Sequence, residues 1–199
     1  RRLAAIRAYH EWMPIRDLPT GLFRAFHFGA LVDLVMLDTR LHGRDAKVGG
    51  KDHAGAADPA RSLLGADQTA WLLEALSASK RAGTHWRVVG QQVVFAPLRG
   101  VFGEFNADSW DGYRANRKAI LDHLERESID DVVILTGDVH SAWALDVPAE
   151  APIAAPESAE PTAPQAASSA TAYDPATGRG SRAVEVVAPA VSSPPFGTH

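Results

Sequence analysis

Cysteine is absent from this chain of 199 residues. Its absence excludes a disulfide framework, a thiolate nucleophile and a cysteine-ligated zinc or iron–sulfur site within the chain. It does not identify the compartment, because a large secreted protein can fold without disulfides. Hydrophobic residues make up 46% of the chain, which is enough for the buried core of one domain.

An excess of positive charge is also lacking. The 20 Lys and Arg residues are outnumbered by 24 Asp and Glu residues, which gives a net charge of −4. Such a chain has no overall field that attracts a phosphate backbone, so we expect no nucleic-acid partner. It also has no apolar run near the ~20 residues that cross a bilayer, so we expect no membrane span.

The start of the chain does not have the pattern of a signal peptide. Arg1 and Arg2 are followed by Arg7, His10 and Glu11 instead of an apolar core. Because an initiator methionine is missing as well, the sequence predicts a fragment or a processed product.

The composition changes at Pro148. Residues 148–181 include six of the 13 prolines and 11 alanines, with almost no large apolar residue. Such a segment cannot bury enough surface to offset the entropy of ordering it, ~1–2 kcal/mol per residue. We therefore predict a flexible insertion at 148–181, between a domain at 1–147 and its closing strand and turn at 182–199, which we expect to be truncated.

Strand-like and helix-like segments alternate along the rest of the chain. The apolar patterns predict strands at 23–28, 31–37, 86–90, 93–95, 131–136 and 182–187, and helices at 66–80 and 111–127. We expect Asp67 to cap the first of these helices. Alternation of this kind predicts an α/β layered architecture.

The strongest candidate for chemistry follows the strand at 131–136. This strand stops at Gly137, and Asp138 and His140 stand two residues apart in the loop. Ligands of α/β sheets bind at the carboxyl ends of strands. A carboxylate beside an imidazole is a ligand pair for Mn, Fe or Zn, and calcium accepts the oxygen. The alternative, a turn aspartate with a hydrogen-bonded histidine, has about equal weight.

Three further segments carry weaker signals. Asp38 and Arg40 follow the strand at 31–37, where Arg40 could bind a phosphate or carboxylate through two hydrogen bonds. The structural alternatives are an Asp38–Arg40 surface pair or a turn with a side-chain hydrogen bond. The loop at 105–113 offers carboxylates and an amide to a cleft, although helix capping and aromatic packing explain much of it. Arg16, beyond Pro14, fits either a cleft edge or a plain surface loop.

Taken in order, these segments resemble the alkaline phosphatase D (PhoD-like) family of metallophosphatases. The resemblance covers about residues 1–147 and 182–199 and is to the C-terminal half of the family's domain. The matching pieces lie at 9–16, 37–40, 64–72, 91–93, 108–113 with Arg117, 135–141, 185–187 and 191–194.

The resemblance implies part of a four-layer α/β/β/α calcineurin-like sandwich. It implies hydrolysis of phosphate mono- or diesters by a metal-activated water, with a small-molecule phosphate ester as substrate. The metals of the characterised type are iron with calcium, and Mn or Zn are alternatives. Members are typically exported, so the expected location is periplasmic or extracellular.

Asp138 and His140 match the family's G-D-V-H metal ligands. The family's N-terminal ligand motifs are not found in this sequence, so the chain would supply part of the site. His140 could instead serve as a general acid, and Arg16 and Arg40 are candidate catalytic residues. The substrate-facing candidates are Asn106, Asp108, Trp110, Asp111 and Tyr113.

Two other functional interpretations stay open. A chain without the first-half ligands could be a non-catalytic fragment or binding module that keeps the fold without a complete metal site. An interaction scaffold, whose segment 148–181 binds a partner, is the weaker of the two. The sequence says nothing about the oligomeric state.

Overall fold

The computed structural model describes residues 2–16, 21–50, 52–97, 105–149 and 173–189. Its helices are α1 (Arg2–Trp12), α2 (His53–Ala56), α3 (Gly65–Arg81) and α4 (Arg114–Arg126), with a 3-10 turn at Trp110–Tyr113 before α4. Its strands are β1 (Arg24–Phe28), β2 (Val32–Met36), β3 (Trp86–Gln91), β4 (Val132–Thr136), β5 (Trp143–Pro148) and β6 (Ser181–Val187).

The six strands form one sheet in the order β1-β2-β3-β4-β6-β5. The inner strands β2, β3, β4 and β6 are parallel, and the edge strands β1 and β5 pair antiparallel with their neighbours. Because parallel strands end at the same edge, the loops after β2, β3 and β4 meet there. These loops carry the candidate residues that follow Leu37, Gln91 and Gly137.

The core lies on one face of the sheet, under α3 and α4. Val35, Val89 and Ile134 are cross-strand neighbours that point to this face and are buried. Leu72 and Leu76 of α3 pack against them, since residues four apart lie on one side of a helix. Ile120, Leu121 and Leu124 of α4 complete this layer.

The opposite face, which we call the open face, is not covered by α3 or α4. Two apolar rows of neighbouring residues cross it, Phe26–Leu34–Val88–Val133–Val184 and Met36–Gly90–Leu135–Val186. Leu135, Val184 and Val186 are each 42% exposed within this chain. A sheet with helices on one face and a second apolar face makes two layers of the four-layer sandwich and leaves a face on which a second sheet can pack.

Several sequence predictions are confirmed and several are wrong. The strands at 24–28, 32–36, 86–91, 132–136 and 181–187 and the helix α3 lie where the pattern placed them. Residues 93–95 are not a strand, and the backbone amides of Val93 and Phe95 bond to side chains instead of a neighbouring strand. Asp67 does not cap α3, which begins after Leu64, and the second helix starts at Arg114, after the 3-10 turn.

The sequence analysis missed α1 and β5. β5 pairs with β6 across the Pro/Ala-rich segment, so its residues belong to the sheet. Residues 150–172 and the closing turn at 191–194 lie outside the described residues, and the three-part division of the chain stays a prediction. Among the described helices, none has the length and apolar character needed to cross a bilayer.

We predict that Leu135→Ala lowers the free energy of unfolding of the protein by about 2–5 kcal/mol, the cost at a fully buried leucine, because we expect a second layer to cover the open face. Leu3→Ala, at a side chain that is 81% exposed, is the control and should change it by less than about 0.5 kcal/mol. Chemical denaturation measures both, and equal small losses would show that the open face stays in water.

Candidate functional site

Charged side chains gather at the edge where β2 and β4 end. The guanidinium of Arg40 donates from Nη1 to Oδ2 of Asp108 at 2.8 Å and from Nη2 to Oδ2 of Asp138 at 3.2 Å. Arg40 is 37% exposed, Asp108 45% and Asp138 55% by side chain, so the group is open to solvent. Three of the residues singled out in the sequence therefore meet, although they come from three separate loops.

A second arginine, Arg44, holds Asp108 from the other side. Its Nη2 donates to Oδ1 of Asp108 at 2.6 Å, and its Nη1 donates to the backbone oxygen of Thr39 at 2.8 Å. Sequence reasoning missed Arg44. The signal for it was its position four residues after Arg40, in the same loop.

The two arginines determine the ionisation of Asp108. Partial burial by itself raises the pKa of Asp108, but the hydrogen bond and charge of Arg40 and the charge of Arg44 outweigh this effect. The net pKa therefore lies below the ordinary value of 3.8, and the carboxylate stays charged at neutral pH.

Asp38 organises the loop that presents Arg40. Its buried carboxylate accepts from the backbone amides of Arg40, Leu41 and His42 at 3.0, 2.8 and 3.1 Å. Of the two purely structural interpretations of this segment, the turn held by the Asp38 side chain is observed and the Asp38–Arg40 pair is not, because Arg40 pairs with Asp108 and Asp138. Gln68 of α3 fixes the turn from below through the Asp38 backbone, with its Oε1 2.7 Å from the amide nitrogen.

The loop after β4 has an unusual backbone. Asp138 and His140 both have positive φ, 74° and 59°, the left-handed region that residues other than glycine seldom adopt. Both side chains are exposed. Asp138 points to Arg40, while His140 presents its imidazole to solvent at the same edge of the sheet.

The loop at 105–113 divides into an exposed part and a buried part. Asn106 is exposed and shapes the turn, since its Oδ1 accepts from the amide of Asp108 at 3.0 Å. Trp110 and Tyr113 are 0% exposed and belong to the core, and Asp111 forms a buried pair with Arg117 at 2.9 Å. This burial corrects the expectation that Trp110, Asp111 and Tyr113 face a substrate, and leaves Asn106 and Asp108 as candidates.

Arg16 lies at the rim of a large cavity. This cavity, of about 940 Å³, is lined by Arg16 and Arg40 together with apolar residues of the open face, among them Phe26, Leu34 and Met36. Arg16 is exposed, and its backbone oxygen accepts from Arg24 at 3.0 Å. Both candidate arginines thus border the same space.

The donor set fits part of a metal site. Asp138 offers a carboxylate oxygen and His140 an imidazole nitrogen, both accessible, at the end of a parallel strand. Within the described ranges, no three acidic or histidine side chains come close enough to hold a metal ion together. A complete coordination sphere therefore needs ligands from beyond these residues.

We predict that Arg40→Ala raises the pKa of Asp108, because it removes the strongest of the groups that stabilise the carboxylate. Carboxyl NMR titration of the metal-free protein measures this directly. Arg81→Ala, on the exposed side of α3, is the control and should leave the midpoint unchanged.

The same pKa determines a pH dependence of stability. The pKa of Asp108 is lower in the folded protein than in the unfolded chain. The ion pairs of Asp108 therefore stabilise the fold fully at a pH above the unfolded pKa, and this stabilisation is lost as the pH falls through the folded pKa. A midpoint for Asp108 at or above the ordinary aspartate value in the unmodified protein would contradict the ion pairs described above.

Comparisons with known proteins agree with this architecture. The model of the PhoD-like phosphatase family matches residues 1–199. Alkaline phosphatase D of Bacillus subtilis (strain 168) is 39% identical over 162 residues, which cover 74% of this chain and 27% of that protein. The solved structure of PhoD superposes with a TM-score of 0.72 at 30% identity and covers 96% of this chain and 34% of its own. The chain thus spans about a quarter to a third of these relatives, and it belongs to the PhoD-like phosphatase family.

Proposed function

We propose that the full-length protein hydrolyses phosphate mono- or diesters with the help of bound metal ions, and that this chain supplies part of the site. The observation that carries the proposal is the position of Arg40. It lies between Asp108 and Asp138, at the strand edge that also presents His140. Metal-assisted hydrolysis of a phosphate ester needs a group that binds the phosphate oxygens and side chains that hold the metal. A guanidinium beside an accessible carboxylate and imidazole offers both.

Asp138 and His140 are the proposed metal ligands. A bound metal ion would neutralise charge on the phosphate and make water a better nucleophile. No protein nucleophile is needed, in agreement with a chain without cysteine. By resemblance, iron with calcium is the proposed metal pair, with Mn or Zn as alternatives, and the proposed location is periplasmic or extracellular.

Arg40 is the proposed phosphate ligand. Its planar guanidinium presents parallel N–H donors that match two phosphate oxygens. In the structure its donors are used by Asp108 and Asp138. If Asp138 held a metal ion, the Nη2 donors of Arg40 would be available to a phosphate oxygen, while Asp108 would keep the guanidinium in place. Arg16, on the rim of the same cavity, would assist in attracting the anion.

His140 also has an alternative role. An exposed imidazole at the site can protonate the leaving oxygen of the ester instead of ligating the metal. The two roles differ in their effect on metal content, because loss of a general acid lowers turnover and leaves metal binding intact.

The second candidate function is a binding module without a complete metal site. It is favoured by one observation, that no three acidic or histidine side chains among the described residues lie close enough to hold a metal ion together. Such a module would bind phosphate esters through Arg40 without hydrolysing them. Ester hydrolysis by the full-length protein excludes it.

We predict that Asp138→Asn in the full-length protein lowers metal affinity and turnover together, by at least about 10-fold to 100-fold. Mutation of a residue that only supports a metal ligand typically lowers metal affinity or activity about 10-fold to 100-fold, so loss of a ligand should cost at least as much. Elemental analysis and hydrolysis of a chromogenic phosphodiester measure the two effects. Asp122→Asn, on the exposed face of α4, is the control.

His140→Ala distinguishes the two roles of the histidine. Loss of metal together with turnover identifies a ligand, and loss of turnover alone identifies a general acid. If both Asp138→Asn and His140→Ala kept wild-type metal content and turnover, the proposed function would be wrong.

For Arg40 we predict an effect on substrate binding. Arg40→Ala should raise KM for a phosphodiester by about 10-fold to 100-fold, the size expected for loss of charged hydrogen bonds. Arg40→Lys should recover only part of this, because an ammonium cannot bind two oxygens in parallel. Steady-state kinetics with Arg81→Ala as control test it, and an unchanged KM in Arg40→Ala would remove Arg40 from the site.

A further inference from the structure

A chain of buried hydrogen bonds runs beneath the charged site. The indole Nε1 of Trp110 donates to Oε1 of Gln91 at 3.1 Å, and Nε2 of Gln91 donates to Oγ1 of Thr136 at 2.5 Å. The Thr136 hydroxyl in turn donates to Oε1 of Glu185 at 2.5 Å. All four residues are buried, and they come from β3, β4, β6 and the turn before α4. None of them is a candidate metal ligand or phosphate ligand.

This chain of hydrogen bonds ends at a fully buried carboxylate. Glu185 is 0% exposed, and its oxygens also accept from the backbone amides of Phe95 and Ala96 at 2.8 and 2.7 Å. Burial raises the pKa of Glu185, and the donors from Thr136, Phe95 and Ala96 oppose that effect. Because a buried acid is costly unless every donor stays in place, these contacts fix the segment after β3 against β4 and β6.

Two members of this network lie close in sequence to the two acids that hold Arg40. Thr136 is two residues before Asp138, and Trp110 is two residues after Asp108. Trp110 is further held by its backbone amide, which donates to Val94 at 3.3 Å, and by a ring contact with Phe95 at 4.7 Å. A shift of Thr136 or Trp110 would therefore change the separation of the two carboxylates.

The loop after Thr136 needs such an anchor. Asp138 and His140 have positive φ, and residues in this region are strained by about 1–3 kcal/mol each. Strain of this kind persists only where the surroundings determine the backbone. On the N-terminal side, Thr136 is held through its side chain by Gln91 and Glu185 and through its carbonyl by the amide of Ala188 at 2.9 Å.

We propose that Thr136 and Glu185 are positioning residues of the site, which hold the loop of Asp138 and His140 in its strained conformation and in register with the loop of Asp108. This proposal rests on the proposed function, because it assigns these residues to the placement of a metal ligand. It predicts that loss of the Thr136 hydroxyl loosens the loop and weakens metal binding more than it weakens the fold.

The test uses Thr136→Val, which removes the hydroxyl at nearly constant volume, and Thr136→Ser, which keeps it. A Glu185 substitution is less suitable, because it leaves two buried amides unpaired and endangers folding. Ser77→Ala is the matched control, since it removes a buried hydroxyl that bonds His123 at 2.9 Å between α3 and α4. All variants are made in the full-length protein.

Two readouts are measured on each variant. In the metal-free protein, hydrogen exchange of the amides at 137–141 should be about 10-fold faster in Thr136→Val. Calorimetric titration with Mn²⁺ should show about 10-fold weaker affinity, the size expected for a residue that supports a ligand. Thr136→Ser should restore both values, and Ser77→Ala should change neither.

The outcomes separate the two proposals. Metal binding that is lost in Asp138→Asn but unchanged in Thr136→Val, with unchanged exchange at 137–141, would overturn the positioning role alone. Metal binding that survives Asp138→Asn would overturn the proposed function, while faster exchange in Thr136→Val would still support the anchoring of the loop. Equal effects of Thr136→Val and Ser77→Ala would show general destabilisation and would also overturn the positioning role.

Discussion

The parallel pairing of β2, β3, β4 and β6 is the constraint on which the rest of the structure depends. It brings the carboxyl ends of these strands to one edge, where each loop contributes a different group. Side-chain amides and a buried acid then fix the loops to one another. Gln92 bonds the loop after β2 through Thr39, and Glu185 bonds the segment after β3 through Phe95 and Ala96. The charged groups on top have defined positions because this polar layer below them is satisfied.

Charge at the site is balanced within the chain. Arg40 and Arg44 share Asp108, and Arg40 also holds Asp138, so two cations face two anions. Pairs this exposed contribute little to stability. Under the proposed function, a metal ion and a phosphate would bring charges of opposite sign, and they could replace these partners without leaving a charge uncompensated.

One arrangement would account for both the open face and the incomplete set of proposed ligands. Because α3 and α4 cover only the other face of the sheet, apolar side chains of the open face such as Leu135 are in contact with water. The proposed ligands Asp138 and His140 are likewise too few to complete a metal site within the described part of the chain. A second layer that packs on the open face and carries further ligands would meet both requirements. The relatives are three to four times longer than the matched region, so they are long enough to contain such a layer.

Much of the fold and part of the site follow from the sequence. Local apolar patterns determined most strands and α3, and Gly137 followed by Asp138 and His140 marked the loop with ligand chemistry, since these signals depend on neighbours in the chain. Contacts between distant residues were decided only by the tertiary structure. Arg40 meets Asp108 and Asp138 across 68 and 98 positions, and no periodicity encodes such separations. Burial was equally invisible, because an aromatic such as Trp110 has the same local sequence whether it lines a cleft or fills the core, and the packing of β3 and α4 around it places it in the core.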